Sequence, residues 1–240
     1  FEVICDKAII TRLGQGVSEN HFLMPEAMKR TQNALAEFKI ECAKYNVEKI
    51  LAVGTAAFRN SANSKVFVDK IKKELKISIQ VISGEDEADY VFGAAYQDFG
   101  NQGNLIVVDI GGGSTEIITG PVQGKTKSET EISLPYGSVK LTEQYIHSDP
   151  VNDADLVRLI QGVRNGIRDN LDGLYPEDFN PHNATLVATA GTATTLATLC
   201  QNLKSYDAQL VHGSKITKDQ LANMIEILAK KTLKERQKIP

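Results

Sequence analysis

Asp109 and Glu116 stand seven positions apart, on either side of a loop that contains Gly111-Gly112-Gly113-Ser114. Three consecutive glycines remove every Cβ from a turn, so its backbone N–H groups can come close to an anion. Leu105–Val108 before the loop is an apolar run that reads as a buried strand. Thr115–Thr119 after it is β-branched and is stopped by Gly120-Pro121, which makes it too short for a helix. A P-loop needs a Gly-Lys-Ser/Thr ending and a helix, and a dinucleotide-binding turn also opens a helix; neither pattern is present. The sequence predicts a strand, a glycine loop and a second strand, with Asp109 at the mouth of the first. A hairpin that binds nothing needs only one or two glycines and no flanking acids.

Three further stretches carry residue types suited to the same chemistry. Thr189-Ala190-Gly191-Thr192-Ala193-Thr194-Thr195 places small residues between an apolar strand and a helix, where close approach and a helix N-terminus favour an anion. Small residues also serve packing there, and the two readings stand level. Ala52-Val53-Gly54-Thr55-Ala56-Ala57-Phe58-Arg59 runs from a strand end through small residues to an arginine, a planar and permanently charged phosphate binder. The competing reading is a solvated surface arginine. Ser83-Gly84-Glu85-Asp86-Glu87-Ala88 opens a helix with three acids, which the helix dipole alone explains. One of the three acids aimed into a cleft would instead activate a water molecule.

The elements that must position these groups follow from periodicity. Residues 1–13 read as two short extended segments around Asp6-Lys7. A helix is expected from Pro25 to about Asn46, with Met28, Thr31, Leu35, Phe38, Cys42 and Tyr45 on one face. Ile50–Val53 reads as a buried strand, 64–75 as a helix and Ile79–Ile82 as a strand. Ser83 begins a helix that points Ala88, Val91, Phe92, Ala95 and Phe99 inward. Gly100-Asn101-Gln102-Gly103 reads as a boundary, giving a first lobe over 1–100 and a second over 101–240. In the second, a strand is expected at Glu131–Leu134. A helix capped by Asn152 follows, with Leu156, Ile160, Val163, Ile167, Leu171 and Leu174 as its apolar stripe. Thr185–Thr189 reads as a buried strand. Thr217 and Gln220 have the capping-box spacing at the start of a last helix, 218–232.

Composition narrows the partners. With 27 basic against 30 acidic residues the net charge is −3, which argues against duplex nucleic acid as the main partner. Cys5, Cys42 and Cys200 are odd in number and far apart, so they suggest neither a metal cluster nor a disulfide framework, and a reducing cytoplasm is expected. No apolar run approaches the ~20 residues of a membrane span.

Taken in order, AVGTAAFRN, VISGEDEADYVFGA, VVDIGGGSTEI, SLPYGSVKLTE and VATAGTATTLA resemble the exopolyphosphatase/guanosine pentaphosphate phosphohydrolase (Ppx/GppA) family over essentially the whole chain. The resemblance implies an α/β fold of two ribonuclease-H-like lobes, of the actin/Hsp70/sugar kinase-like kind, around a central cleft. The first strand of that pattern, with its Asp-Ile-Gly-Ser-Asn-Ser loop, and the C-terminal end lie outside these 240 residues, so a longer protein is expected. By the same resemblance Glu87 is the general base and Arg59 a phosphate contact. Gly111, Gly112, Gly113, Ser114, Gly191 and Thr192 face phosphate. Asp109 and Glu116 are associated with a catalytic metal, Mg2+ or another divalent cation. Asp86 stands where the family usually has a glutamate.

The activity so implied is metal-assisted hydrolysis of a terminal phosphoanhydride, in inorganic polyphosphate or in guanosine pentaphosphate. Two alternatives share the superfamily's architecture: a phosphotransferase of the sugar or acetate kinase type, and a non-catalytic polyphosphate or nucleotide sensor. A homodimer is expected from the family's habit.

Overall fold

The computed structural model describes residues 3–100, 104–120, 130–170 and 179–239. The chain forms two compact units that divide after Glu87. The first contains α1 (Val17–Asn20), α2 (Pro25–Lys44), β1 (Ala52–Gly54), α3 (Ala56–Arg59), α4 (Ser64–Leu75) and β2 (Ile79–Val81). Pro25 sits in the first turn of α2, where its missing N–H costs nothing. Val17, Leu23, Phe58, Phe67, Ile71 and Ile77 make the core, with Met28 and Leu35 of α2 packed against it. The rings of Phe58 and Phe67 stack with centroids 6.0 Å apart. Any side chain at Gly54 would run into the ring of Phe58, so this glycine lets α3 fold back on the end of β1.

β1 and β2 pair in parallel, Ala52 opposite Ile79 and Gly54 opposite Val81. Two expectations fail here. Residues 3–12 form no strand, since no described strand pairs with them, and Val3, Ile4 and Ile10 are exposed. The strand expected at Ile50–Val53 begins only at Ala52 and is not buried, with Leu51 82% and Val53 56% exposed.

The division falls inside α5 (Gly84–Phe99), which buries Ala88, Phe92 and Ala95 in the second unit. There β3 (Asn104–Ile110), β4 (Thr115–Gly120) and β5 (Thr130–Leu134) form an antiparallel meander. The chain returns through α6 (Ser138–Tyr145) and α7 (Asp153–Asn170) to β6 (Ala184–Thr189), parallel to β3, for a strand order β5-β4-β3-β6. Leu105 and Val107 of β3 and Ile118 of β4 share the face that packs on Phe92 of α5. The 101–103 part of the expected boundary loop lies outside the described residues, as do Leu171 and Leu174 of the α7 stripe. β6 is not the buried strand expected at Thr185–Thr189. Among the described strands it pairs only with β3, and Leu186 is 66% exposed.

α8 (Ala190–Cys200) leaves β6 directly and packs on β3, followed by α9 (Ala208–Val211), α10 (Lys218–Lys230) and α11 (Leu233–Arg236). The capping box of α10 forms as predicted, with Gln220 N donating to Thr217 Oγ1 at 3.2 Å and Thr217 N to Gln220 Oε1 at 2.8 Å. No helix among the described residues is long and apolar enough to cross a membrane.

Asn152 caps α7, accepting from Asp155 N at 2.7 Å. Asp155 itself is 2% exposed and accepts from His147 N and Ser148 Oγ, both at 2.9 Å, besides its ion pair with Arg158. The His147 N–H, then the Ser148 hydroxyl and the Arg158 charge hold this carboxyl below its usual 3.8. A folded-state pKa below the unfolded one adds stability that is complete above the unfolded value and lost as pH falls through the folded one. Thermal melts from about pH 2 to about pH 7 should therefore show wild-type Tm falling in acid more steeply than that of Asp155→Asn. Parallel curves would exclude Asp155 as an acid-labile tie.

Candidate functional site

The first unit brings two of the sequence-predicted residues into contact. Arg59 ends α3, and its Nη1 donates to Glu87 Oε2 at 2.7 Å and to the carbonyl of Ile82 at 3.1 Å. Ile82 follows β2, and Ser83 caps α5: its Oγ accepts from Asp86 N at 3.0 Å and donates to Asp86 Oδ2 at 2.8 Å. This cap separates the three acids that the sequence leaves equivalent. Asp86 is engaged at the helix start, Glu85 is exposed, and Glu87 is half-buried against the guanidinium. A carboxylate held by arginine is fixed in direction, as an acceptor of a water proton has to be.

The second unit gathers the rest. In the β3–β4 register Asp109 lies directly opposite Glu116, and in the β3–β6 register it lies beside Thr189. Residues opposite one another in a sheet project to the same face, so the two acids share the face of Leu105 and Val107, beyond the end of the core. Ser133 of β5, opposite Glu116, donates its hydroxyl to Glu116 Oε1 at 3.0 Å.

The glycine loop is shaped by α6. Ser138 N donates to Gly111 O at 3.0 Å, and Val139 N and Lys140 N donate to Gly112 O at 2.9 and 3.1 Å. These are the N–H groups that a helix start leaves unpaired. A trans peptide sets its C=O and N–H in opposite directions. With the Gly111 and Gly112 carbonyls turned to α6, the N–H groups of Gly112 and Gly113 point away from it. Those of Gly112, Gly113 and Ser114 make no hydrogen bond to a described residue. The approach depends on Gly137, where any Cβ would collide with the backbone of Gly112 and Gly113.

At α8, Thr189 provides no side-chain cap for the first turn, and Ala190 is held at a left-handed φ of 64°. That conformation costs a non-glycine residue roughly 1–2 kcal/mol. Gly113 and Gly191 differ from Gly137: a Cβ built on either meets no described atom within 4 Å, and neither has a positive φ. Among the described residues nothing requires glycine there.

Asp109 and Glu116 form an oxygen-only pair, and no cluster of three or more His, Cys, Asp or Glu with metal-binding geometry occurs among the described residues. Such a pair fits Mg2+, which commonly takes one or two carboxylates and completes its shell with water and phosphate oxygens. Ser133, Gly137 and the first turn of α6 stand in SLPYGSVKLTE and Thr189 opens the small-residue stretch, but motif spacing assigns none of them an individual role.

Comparison with known proteins agrees with the resemblance. The model of the family described as the Ppx/GppA phosphatase family matches residues 1–240. Exopolyphosphatase 2 of Mycobacterium tuberculosis is 33% identical over 95% of this chain and 70% of its own length. The bifunctional 3-dehydroquinate synthase/phosphatase of Fusobacterium nucleatum is 34% identical over 94% of this chain, which spans about a third of that protein (34%). A guanosine-5'-triphosphate,3'-diphosphate pyrophosphatase of Vibrio parahaemolyticus is 34% identical over 67% of this chain and 32% of its own length. Among solved structures, the Aquifex aeolicus PPX-GPPA enzyme matches 98% of this chain and 75% of its own, with TM-score 0.77 and 31% identity.

The two kinds of glycine give a direct test. Gly137→Ala should lose about 1–3 kcal/mol or more in denaturant unfolding, as overpacking against backbone does. Gly113→Ala should stay within about 0.5 kcal/mol of wild type. Equal losses would mean that Gly113 is a packing residue.

Proposed function

We propose, for a chain that belongs to the Ppx/GppA phosphatase family, that it hydrolyses the terminal phosphoanhydride of inorganic polyphosphate or guanosine pentaphosphate and releases orthophosphate. Residues 1–100 and 101–240 are each read as one ribonuclease-H-like lobe. Polyphosphate is the preferred substrate, because the motifs include no aromatic pocket for a base. The names of the Mycobacterium and Vibrio relatives support the substrate class. The observation that carries the reading is the pairing of Asp109 with Glu116 at the end of the hairpin whose Gly112 and Gly113 N–H groups have no described hydrogen-bond partner.

The residues divide the chemistry. Glu87 orients a water molecule and takes its proton as the water oxygen bonds to phosphorus. The bond from phosphorus to the bridging oxygen breaks, and the shortened chain leaves with the electron pair. Arg59 and the N–H groups of Gly112, Gly113, Ser114, Gly191 and Thr192 hold phosphate oxygens and oppose the charge that develops on them, whereas the Gly111 N–H, expected among them, is spent on Ser114 O at 3.0 Å. Asp109 and Glu116 would hold Mg2+, with Ser133 fixing one oxygen of Glu116 and leaving the other for the ion. When bound, the ion neutralises phosphate charge that the two acids would otherwise repel.

The test is phosphate release from polyphosphate, guanosine pentaphosphate and ATP, each with and without magnesium. Glu87→Gln should lower turnover on the order of 10²–10⁴-fold while leaving substrate affinity within a few-fold. Full turnover in Glu87→Gln with loss in Glu85→Gln would move the base to the other acid. Asp109→Asn and Glu116→Gln should abolish the magnesium stimulation, while metal-free anion binding persists or tightens. An unchanged magnesium midpoint and maximal rate in both would remove the pair from the metal site.

A further inference from the structure

Arg59 has two separate edges for anions, and only one of them is in use. A guanidinium carries five N–H donors in a fixed plane. Both hydrogens of Nη1 are committed, one to Glu87 Oε2 at 2.7 Å and one to Ile82 O at 3.1 Å. Nε and Nη2 make no hydrogen bond to a described residue, and their N–H groups point to one side as a fork that matches two oxygens of a phosphate. Gly84 lies beside the fork: a Cβ built there would have Nη2 as its nearest described neighbour, at 3.9 Å. The Arg59 side chain is 29% exposed, so the fork is within reach of a ligand.

We propose that Arg59 is a positioning residue for the base as well as a phosphate contact, serving Glu87 through Nη1 and the phosphoryl group through Nε and Nη2 at the same time. This rests on the reading of Glu87 as base. One rigid plane then fixes the direction of the carboxylate relative to the phosphorus, and the Ile82 carbonyl stops the plane from turning. The simpler role is a guanidinium that leaves Glu87 when phosphate arrives. Lysine distinguishes the roles, because a single ammonium on a flexible stem cannot hold both anions in a fixed relation.

A double-mutant cycle reads the coupling. In the wild-type background Arg59→Lys should lower kcat roughly 10- to 100-fold, the scale of a misplaced reacting group, and should raise KM. In the Glu87→Gln background the same substitution should raise KM by a similar factor but leave kcat within about twofold, since the group it positions is already gone. An equal loss of kcat in both backgrounds would overturn the proposal.

Side-chain ¹⁵N NMR of Arg59, with inorganic phosphate as probe, decides the geometry without turnover. The Nε signal should move on phosphate addition in wild type and in Glu87→Gln. The two Nη signals should stay resolved in wild type with or without phosphate and average in Glu87→Gln. Averaging in wild type on phosphate addition, or an Nε signal that ignores phosphate, would overturn the proposal. A chain that binds phosphate in this way but releases none from any phosphoanhydride would overturn the hydrolytic reading and leave the two-edged arginine standing.

Discussion

The backbone of Gly137 lies so close to that of Gly112 and Gly113 that no side chain fits between them, and the second unit's site depends on this contact. It allows the first turn of α6 to take the carbonyls of Gly111 and Gly112. A helix start is normally an anion site in its own right. Here its donors are spent on the loop, and the gain is orientation, because each carbonyl turned inward sends the next N–H outward. The positive end of one helix is thus passed through two peptide planes to a loop that ends beside Asp109 and Glu116.

The first unit achieves fixed direction by packing. The ring of Phe58 covers Gly54 and stacks on Phe67, which sets α3 against the end of β1. Arg59 is the next residue after Phe58, so its position follows from the core. Its Nη1 reaches the last carbonyl before Ser83, tying the guanidinium to the point where β2 becomes α5. Glu87, one turn into α5, meets the same nitrogen. An apolar cluster, a strand end and a helix cap together decide where one carboxylate oxygen points.

Much of this was legible in the sequence, for physical reasons that differ between elements. The hairpin was readable because three glycines between a β-branched pair of runs leave few alternatives, and the caps at Asn152 and Thr217 because their side chains satisfy donors a few residues away. Burial was not readable for Ile50–Val53 or Thr185–Thr189. An apolar run reports the cost of exposure, whereas two-sided burial depends on how many layers the fold supplies. Among the three acids of Ser83–Glu87, spacing could not choose, and the resemblance named Glu87. The structure gives the physical difference: Asp86 is occupied by Ser83 and Glu87 faces Arg59. Ser133 was invisible because its partner, Glu116, is 17 residues away and on another strand.

α6 and α8 begin at two strand ends, after β5 and after β6, and are finished in opposite ways. α6 is closed by loop carbonyls, while α8 begins with no side-chain cap, at a residue strained into the left-handed region, followed by a glycine with open space around it. Had folding stability alone shaped both, α8 would carry a capping side chain, worth about 1 kcal/mol, and a residue other than alanine at 190. Among the described residues no side chain takes those donors, which supports the proposed anion site. The same holds for Gly112, Gly113 and Ser114, and Asp109 lies between the two groups in the sheet, beside Thr189 on one side and Glu116 on the other. Donors without a described partner on both flanks of an acidic pair support the proposed ligand class, a polyanion that arrives with its own cation.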